Sequence, residues 1–347
     1  MVTEMEQLYL LKLGENPRLN RALEPVPARS LEPDGDLRHK RILFAVSVDE
    51  AGPTGAFYAF LRRLRLEPDC LTGSAACLVV DGSTELYTKA AAQELVLAAN
   101  QAGCLFLGRP LVEATGSLYN QHIQARNLGL DWEQTYFYRV RDLARRLTEF
   151  VPPRFARPRV LLLHASDKQR SNTLALGRMV GQALSDRCDV REQPLLNGTV
   201  QDCRGCDYHA CLHFAQNNTC FYGGVLPREV LPAVREADLL LFLCPNYNDA
   251  LGANLVALIN RMTSLVVQQD LGDTYLGGVV VSGYSGGDLV ARQLLGAMCL
   301  NRGCILPPDF CLLQTANDPG DALTAAGIDR RTEALAQRLK NQILTGA

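Results

Sequence analysis

The feature that most restricts the fold is the regular alternation of short apolar runs with amphipathic segments in the second half of the chain. Runs such as Leu239–Leu243 and Gly278–Val281 are continuously apolar, which is typical of strands that are covered on both faces. The predicted strands are residues 159–163, 188–193, 238–243, 277–282 and 310–313, and the predicted helices are residues 173–186, 227–237, 250–267 and 288–300. Strands that alternate with helices in this way predict a doubly wound parallel sheet of five strands.

The first half of the chain is less regular, and its composition divides it. Residues 1–40 are rich in Pro, Glu and Arg and predict an arm that contains one helix. Residues 41–150 predict a smaller α/β domain, in which residues 108–120 form a long connection without periodicity. We assign no role to this half. Three prolines within residues 151–158 predict a linker, and residues 159–347 then form the second domain. Within the smaller domain, the predicted strands are residues 42–48, 76–80 and 104–107, and the predicted helices are residues 57–66, 88–101 and 132–150.

Composition and charge exclude several classes of protein. A length of 347 residues predicts about two domains. The formal net charge of −2 gives no electrostatic attraction for nucleic acid or for an anionic membrane. No apolar stretch approaches the roughly 20 residues that span a bilayer, and the first six residues are acidic where a signal peptide is basic. We therefore expect a cytoplasmic protein that binds neither nucleic acid nor membranes.

A polar loop follows the first apolar run of the second domain and leads directly into a helix. Backbone N–H groups and the helix dipole make such a junction a natural site for an anion. The loop lacks the patterns G-x-x-x-x-G-K-[ST] and G-x-G-x-x-G, so it favours a single phosphate monoester over a triphosphate or a dinucleotide. The alternative is that its hydroxyls only cap the helix. The side chains of the loop that can add hydrogen bonds or positive charge are Ser166, Lys168, Arg170, Ser171, Asn172 and Thr173.

Two further unusual loops follow the third and fourth predicted strands. The first spans residues 244–252 and contains Pro, Asn, Tyr and Asp, and the second spans residues 282–288 and contains three glycines. Glycines at these positions let the backbone approach a planar ligand closely. In a flavodoxin-like sheet, the carboxyl ends of the first and third strands meet at the point where the strand order reverses, and ligands bind there. We therefore expect all three loops to surround one ligand.

Residues 158–315 resemble the NAD(P)H-dependent FMN reductase and iron–sulfur flavoprotein family of flavodoxin-like proteins. The first loop of the family commonly reads Gly-Ser-Pro-Arg-x-x-Ser/Gly-Asn-Thr. Residues 165–173 keep its length and hydroxyls, with Ala165, Asp167 and Lys168 in place of Gly, Pro and Arg. Residues 245–261 follow the second pattern, Pro-x-Tyr and then Leu and Ile-x-Arg, and residues 282–287 match the glycine-rich third loop.

The resemblance implies FMN as the cofactor and NAD(P)H as the co-substrate. The phosphate would lie at the first loop, and the isoalloxazine ring would lie between residues 245–248 and residues 283–285. Because the flavin itself accepts hydride at N5, we assign no side chain as a catalytic acid or base. The residues implied in FMN binding are Ser166, Lys168, Ser171, Asn172, Thr173, Pro245, Asn246, Tyr247, Asn248, Gly283, Tyr284 and Ser285.

Four of the twelve cysteines fall within residues 203–220, whereas the other eight are scattered and are interpreted as small buried hydrophobes. In iron–sulfur flavoproteins, a compact motif in this region holds a [4Fe–4S] cluster with gaps of two, two and four to seven residues. Here the gaps are two, four and eight. Three alternatives stay open, namely a [4Fe–4S] cluster, a zinc site that includes His209 or His213, and free or redox-active thiols. The candidate metal ligands are Cys203, Cys206, Cys211 and Cys220.

The sequence thus predicts an FMN-dependent NAD(P)H oxidoreductase that reduces a small acceptor such as a quinone, a free flavin or another conjugated compound. The first alternative is an electron-transfer flavoprotein, with or without iron–sulfur, that supplies a partner reductase. The second alternative is an interaction module that keeps the fold without turnover. The resemblance also implies a homo-oligomer.

Overall fold

A computed structural model describes residues 7–166, 170–217, 219–266 and 270–346. The chain divides into two compact units, of which the first ends at Val151 and the second begins at Pro152. The division lies at the start of the proline-rich segment 151–158. Each unit contains its own sheet and its own helices.

The first unit is built on a parallel sheet with the order β2-β1-β3-β5-β6. Its strands are β1 (Leu8–Leu13), β2 (Arg29–Ser30), β3 (Arg41–Asp49), β4 (Gly52–Pro53), β5 (Ala75–Gly82) and β6 (Leu105–Ala114). The two-residue strand β4 pairs with β3 in the antiparallel sense and lies off this path. The order is that of a doubly wound sheet in which the second strand lies outside the first.

Helices cover the sheet of the first unit in two groups. They are α1 (Pro17–Leu23), α2 (Gly55–Leu66), α3 (Thr88–Gln101), α4 (His122–Leu128) and α5 (Trp132–Glu149). Helix α1 packs against α5, and their core includes Leu43, Ala45, Cys77 and Val79 of the central strands. Alternate residues of those strands point to the opposite face, and α2 packs against α3 in a separate group.

Two segments of the first unit differ from the sequence-based expectation. Residues 8–13 were expected in an irregular arm, but they form β1, which pairs with strands on both sides. Their burial alternates toward one end of the strand, a pattern that the Pro- and Arg-rich surroundings obscured. Strand β6 was expected to end at Leu107, but it continues through Pro110 to Ala114. A register shift in its pairing with β5 accommodates the irregularity, as is usual for proline in a strand.

The second unit contains five parallel strands in the order β11-β10-β9-β7-β8. The strands are β7 (Arg159–His164), β8 (Asp189–Pro194), β9 (Leu239–Pro245), β10 (Tyr275–Ser282) and β11 (Cys311–Thr315). The three inner strands are almost entirely buried. The order confirms the predicted flavodoxin-like doubly wound sheet.

The helices of the second unit connect these strands. They are α6 (Asn172–Leu184), α7 (Tyr208–Ala215), α8 (Leu231–Glu236), α9 (Ala253–Arg261), α10 (Thr263–Val266), α11 (Gly287–Leu295), α12 (Asp321–Thr324) and α13 (Ile328–Ile343). Short π-helical segments precede α8 and follow α11. Helix α6 packs against α13 and lies so close to β9 that a Cβ at Gly177 would be 2.3 Å from Leu243 Cδ1. Within the described ranges, no helix is long and apolar enough to cross a membrane.

The two ends of the second unit are joined to each other. The N–H of Phe155 donates to the carbonyl of Ile343 at 2.7 Å, and the N–H of Thr345 donates to the carbonyl of Phe155 at 3.0 Å. The hydroxyl of Tyr275, on a central strand, donates to the carbonyl of Pro153 at 2.9 Å. The first segment of the unit is thus hydrogen-bonded both to its last segment and to the sheet.

Candidate functional site

The three loops that the sequence singled out lie at one edge of the second sheet. Strands β7, β9 and β10 are neighbours and parallel, so their carboxyl ends at His164, Pro245 and Ser282 face the same side. The loops that leave these residues therefore come together at the point where the strand order reverses. The three loops thus lie at the edge of the sheet where a ligand was expected, and their residues determine which ligand can bind there.

The first loop ends in a capped helix. Ser171 is the N-cap of α6, and its Oγ accepts a hydrogen bond from the N–H of Leu174 at 3.2 Å. The hydroxyl of Ser166 donates to the same oxygen at 2.9 Å. Both hydroxyls therefore lie beside the first turn of α6, where the helix dipole favours an anion. Lys168, also predicted to bind the phosphate, lies outside the described residues.

The next two predicted residues are buried. The side-chain amide of Asn172 donates to the carbonyl of Asp318 at 2.8 Å, and its oxygen accepts from the N–H of Gly320 at 2.9 Å. Asn172 therefore connects the start of α6 to the loop that follows β11. Thr173 is 2% exposed. What these two residues offer to a ligand is chiefly the backbone N–H groups of the first helical turn.

His164, at the end of β7, positions the start of the first loop. Its Nδ1 accepts the N–H of Ser166 at 3.2 Å, and its Nε2 lies 3.1 Å from Glu192 Oε1. Arg178 donates twice to Glu192, at 2.8 and 2.9 Å, and this interaction lowers the pKa of the carboxyl. Burial lowers the pKa of His164. The imidazole is therefore neutral at pH 7, with its proton on Nε2 toward the carboxylate.

A tight turn forms the second loop. Tyr247 and Ala250 pair across it, and both central residues have positive φ, 54° for Asn248 and 57° for Asp249. Two consecutive left-handed residues define a type I′ turn, and Asn and Asp are among the residues that adopt it at least cost. The turn leaves the Tyr247 side chain 64% exposed. Because of the turn, the helix that was predicted from residue 250 begins at Ala253.

The second and third loops are held together by one amide and one glycine. The Asn246 amide group is within hydrogen-bond distance of Asp249 Oδ1, Ser282 Oγ and the Ser285 carbonyl, at 3.1, 3.1 and 2.9 Å. Gly286 has φ +79°, and a Cβ there would lie 2.0 Å from Asp249 Oδ1. The side chain of Asn246, predicted to contact the flavin, is thus used inside the protein to fix the two loops.

Two exposed aromatic rings project from these fixed loops. Tyr284 in the third loop is 82% exposed, and Tyr247 in the second loop is 64% exposed. Pro245 and Gly283, which precede them, are half-buried, whereas Ser285 is exposed. A rigid backbone that carries exposed rings can stack against a planar ligand without reorganising.

A further contact that fixes the site had no signal in the sequence. Gln293 on α11 donates its amide hydrogen to the carbonyl of Asp249 at 2.8 Å and accepts the N–H of Leu251 at 3.0 Å. This side chain holds the C-terminal side of the tight turn from α11. A single glutamine on a helix is too common in sequences to have indicated this role.

The four clustered cysteines line one cavity, which we call the cysteine pocket. Its volume is about 210 Å³. Cys203 and Cys206 are exposed, and Cys211 and Cys220 are half-buried. The other eight cysteines are buried, which confirms their interpretation as small core residues. The wall of the cysteine pocket also contains Arg204, Phe214, Phe221, Tyr222 and Arg261.

The chemistry of the cysteine pocket is that of thiols. Burial and the three neighbouring thiols raise the pKa of Cys211, so this sulfur is within electrostatic reach of the other three. Neither His209 nor His213 is among the lining residues. Within the part of the chain that the structure describes, no three Cys, His, Asp or Glu side chains are arranged to hold a metal ion. The donors fit a [4Fe–4S] cluster in kind and number, but the loop would have to close further around it.

Comparison with known families identifies the segment that contains this site. Residues 158–318 match the family described as NADPH-dependent FMN reductase. The match covers less than half of the chain and stops before α12 and α13. It confirms the resemblance predicted for residues 158–315 and the predicted class, an FMN-dependent oxidoreductase, for this segment. Among curated proteins, none matches the sequence significantly.

Several solved structures are similar to about half of the chain at low sequence identity. An NAD(P)H:quinone oxidoreductase from Methanothermobacter marburgensis is 16% identical, with a TM-score of 0.41, and the match covers 53% of this chain and 98% of that one. A putative quinone reductase from Klebsiella pneumoniae is 17% identical, with a TM-score of 0.39 and coverages of 53% and 84%. An azoreductase from Bacillus anthracis is 13% identical, with a TM-score of 0.39 and coverages of 54% and 100%.

Proposed function

We propose that the second unit binds FMN at the carboxyl edge of its sheet and transfers electrons from NAD(P)H to a small acceptor such as a quinone, a free flavin or another conjugated compound. The observation that carries this proposal is the convergence of a capped helix N-terminus and two exposed tyrosines on three neighbouring loops. The first feature suits a phosphate and the second suits a planar ring. The family match over the same residues supports it.

The phosphate end of the cofactor is assigned to the first loop. The hydroxyl of Ser171 and the N–H groups at the start of α6 would donate to the phosphate oxygens, and the hydroxyl of Ser166 would turn from Ser171 Oγ to do the same. Lys168 would add positive charge. His164 holds the backbone of Ser166 in place through Nδ1 and so orients the donors.

The ring end is assigned to the second and third loops. FMN, when bound, supplies the hydride-accepting atom N5, so the protein needs no acid or base of its own for that step. Residues 245–248 and 283–285 would orient the ring, and the rings of Tyr247 and Tyr284 would exclude water from its faces. The amide network of Asn246 keeps the two loops in one arrangement.

A titration with two flavins tests the assignment of the phosphate end. The full chain should bind FMN, with quenching of flavin fluorescence, and should bind riboflavin more weakly. Ser166→Ala should weaken FMN binding about 10- to 100-fold, the effect of losing one hydrogen bond to a charged group, without weakening riboflavin binding. A protein that is still colourless after incubation with excess FMN and removal of the free flavin would overturn the proposal.

The choice between an enzyme and an electron carrier rests on a steady-state assay. With FMN bound, NADPH or NADH oxidation should proceed with a small quinone as the only acceptor. Oxidation that requires an added partner reductase would instead support the electron-transfer alternative. If FMN binds but no acceptor is reduced under either condition, the redox function is wrong, and the interaction module remains.

We further propose that the cysteine pocket is a second redox centre, with Cys203, Cys206, Cys211 and Cys220 as ligands of a [4Fe–4S] cluster. What supports this is that four accessible thiols share one cavity while the remaining eight are buried. Protein purified without air should contain iron and acid-labile sulfide in equal amounts. Zinc alone would support the zinc alternative, and neither metal would support redox-active thiols.

From the resemblance we also infer a homo-oligomer, and we separately propose that the protein is cytoplasmic. Light scattering on the purified chain should give a mass that is a multiple of the 38.1 kDa protomer. A mass equal to that of the protomer at micromolar concentration would contradict this inference.

A further inference from the structure

One buried arginine holds both ends of the cysteine segment. Arg261, at the end of α9, is 5% exposed and lines the cysteine pocket. Its Nη1 donates to the carbonyl of Gln201 at 3.2 Å, and its Nη2 donates to the carbonyl of Gly223 at 2.8 Å. One acceptor precedes Cys203 and the other follows Cys220. The guanidinium thus closes the segment that carries all four thiols.

The preceding residue contributes a second attachment. The amide of Asn260 donates to Asp202 Oδ1 at 2.9 Å, and the same oxygen accepts the N–H of Cys203 at 2.6 Å. At the other end of α9, the amide of Asn254 donates to the carbonyl of Leu195 at 2.6 Å. Side chains along α9 therefore form hydrogen bonds with several positions of the connection between β8 and α8.

Helix α9 also carries the second flavin loop. Its first residue, Ala253, follows the tight turn at residues 247–250 almost directly. Nine helical residues span about 14 Å at roughly 1.5 Å per residue. The proposed flavin-binding turn and the cysteine pocket thus lie at opposite ends of one rigid element.

The geometry at residue 261 requires arginine in particular. Two carbonyls from different parts of the chain accept hydrogen bonds from two nitrogens of one planar group. A lysine ammonium is a single point charge on a flexible stem and does not reproduce this fork. Substitution by lysine therefore keeps the charge and removes the bridge.

We propose that Arg261, assisted by Asn260, is a positioning residue that closes the cysteine pocket onto α9. It fixes the four thiols around the cavity and at a set place relative to the flavin-binding turn. This inference rests on the proposed role of the cysteine pocket as a redox centre, and it does not depend on which group the thiols hold.

Labelling of individual cysteines tests the proposal. The full-length protein as purified, kept in reductant and then desalted, is treated with a maleimide, and the modified cysteines are quantified by mass spectrometry. In Arg261→Lys, the half-buried Cys211 and Cys220 should react about tenfold faster or more, since local opening no longer breaks two charge-assisted hydrogen bonds. The exposed Cys203 and Cys206 should change less, and the eight buried cysteines should stay unreactive.

Matched variants separate positioning from general destabilisation. Arg302 donates to the carbonyl of Ile259 on α9 at 2.9 Å, not to a carbonyl of the cysteine segment. The cysteines of Arg302→Lys should therefore be labelled at the wild-type rates. Asn260→Ala, at an exposed position, should accelerate Cys211 and Cys220 about two- to fivefold, as expected for one exposed hydrogen bond. If Arg261→Lys does not fold, this milder variant decides the question.

Two results would overturn the proposal. The first is wild-type labelling of Cys211 and Cys220 in both Arg261→Lys and Asn260→Ala. The second is equal acceleration at all twelve cysteines, which would reveal only a loss of overall stability. FMN is titrated into the same samples, so failure of the wild type to bind flavin would refute the proposed function while leaving the labelling result to stand by itself.

Discussion

The two units share one strand order but use its carboxyl edge in opposite ways. In the first unit, the edge is filled by an ion pair between Arg18 and Asp81, with 2.8 Å between Nη2 and Oδ1. Asp81 lies near the end of β5 and is 1% exposed. The amide of Asn16 donates to Asp81 and to Ser47 Oγ, both at 3.1 Å, and Arg18 also donates to the carbonyl of Gly82. Side chains of the protein thus occupy the space where such a sheet would bind a ligand.

In the second unit, the corresponding edge stays open. Its loops present the hydroxyls of Ser166 and Ser171 beside a helix N-terminus and leave the rings of Tyr247 and Tyr284 exposed. The polar side chains that are buried there, such as Asn172, connect one loop to another. The comparison shows that strand order provides an edge, whereas the loop residues decide whether it is packed shut or available to a cofactor.

The largest expected effect comes from emptying the filled edge. Asp81→Ala leaves the charge of Arg18 without its partner and should destabilise the first unit by about 2–4 kcal/mol, below the range for a fully buried pair because 18% of the Arg18 side chain is exposed. Denaturant unfolding followed by Trp132, which is the only tryptophan and lies in this unit, measures the change.

The control is an exposed ion pair of the same unit. Glu149→Ala removes a partner of Arg145, with both side chains more than half exposed, and should cost at most about 1 kcal/mol. If Asp81→Ala costs no more than Glu149→Ala, the network is not what stabilises the filled edge.

The next effect concerns the rigidity of the open edge. Gly286→Ala forces a Cβ to within 2.0 Å of Asp249 Oδ1 at a residue with φ +79°, so the tight turn must move. The strain of about 1–3 kcal/mol should weaken FMN binding about 10- to 100-fold. Gly198→Ala has a similar φ of +82° with nothing within 4 Å of its Cβ, so it carries the backbone strain alone and should leave FMN binding nearly unchanged. Equal losses in the two variants would show that the contact with Asp249 is unimportant.

A smaller effect is expected from the aromatic rings. Tyr284→Ala should weaken FMN binding about three- to tenfold through loss of stacking, with no change in the denaturation midpoint, because the ring is 82% exposed. Phe221→Ala removes a ring that is 66% exposed at the cysteine pocket and should not alter the affinity for FMN. Unchanged affinity in Tyr284→Ala would place the flavin ring elsewhere.

The smallest effect is a dependence on pH. Burial lowers the pKa of His164, so its contribution to stability is present above the usual pKa of about 6.5 and is lost as the pH falls through the lowered value. Protonation of Nδ1 removes the acceptor for the N–H of Ser166, and FMN should therefore bind more weakly on acidification below pH 6.5.

His164→Asn isolates this contribution. The phosphate of FMN titrates near pH 6 in both proteins, so the difference between their pH profiles reports on His164. The variant should show a shallower loss of affinity from pH 7.5 to 5.5. Parallel profiles would mean that His164 does not act on the first loop.

The sequence predicted the second sheet well because each of its inner strands is covered on both faces. The run Leu239–Leu243 is apolar throughout, and the strand extends only two residues further. In the first unit, β1 was not predicted because its apolar run is short, lies among charged residues and is interrupted by Lys12. Strand β6 escaped because Pro110 predicts a break that a register shift accommodates.

The site was predicted as a set of loops rather than as a set of contacts. Tyr247 and Tyr284 are exposed at the open edge, as a ring-binding role requires. Asn246 and Asn172 were predicted to bind FMN, but their side-chain amides donate hydrogen bonds to other loops of the protein. The hydrogen-bond partner of such an amide can lie far away in the chain, as Asp318 does from Asn172, and no local sequence pattern indicates it.

The hydrogen bonds between Phe155 and residues 343–345 have a consequence for the modularity of the protein. A unit whose two ends lie side by side can be inserted into another chain, or circularly permuted, without stretching its backbone. The second unit therefore has the geometry of an independently transferable domain. Joining residue 346 to residue 152 through a short linker and opening the chain at an exposed loop distant from the site should therefore preserve the five-stranded sheet and the site at its edge.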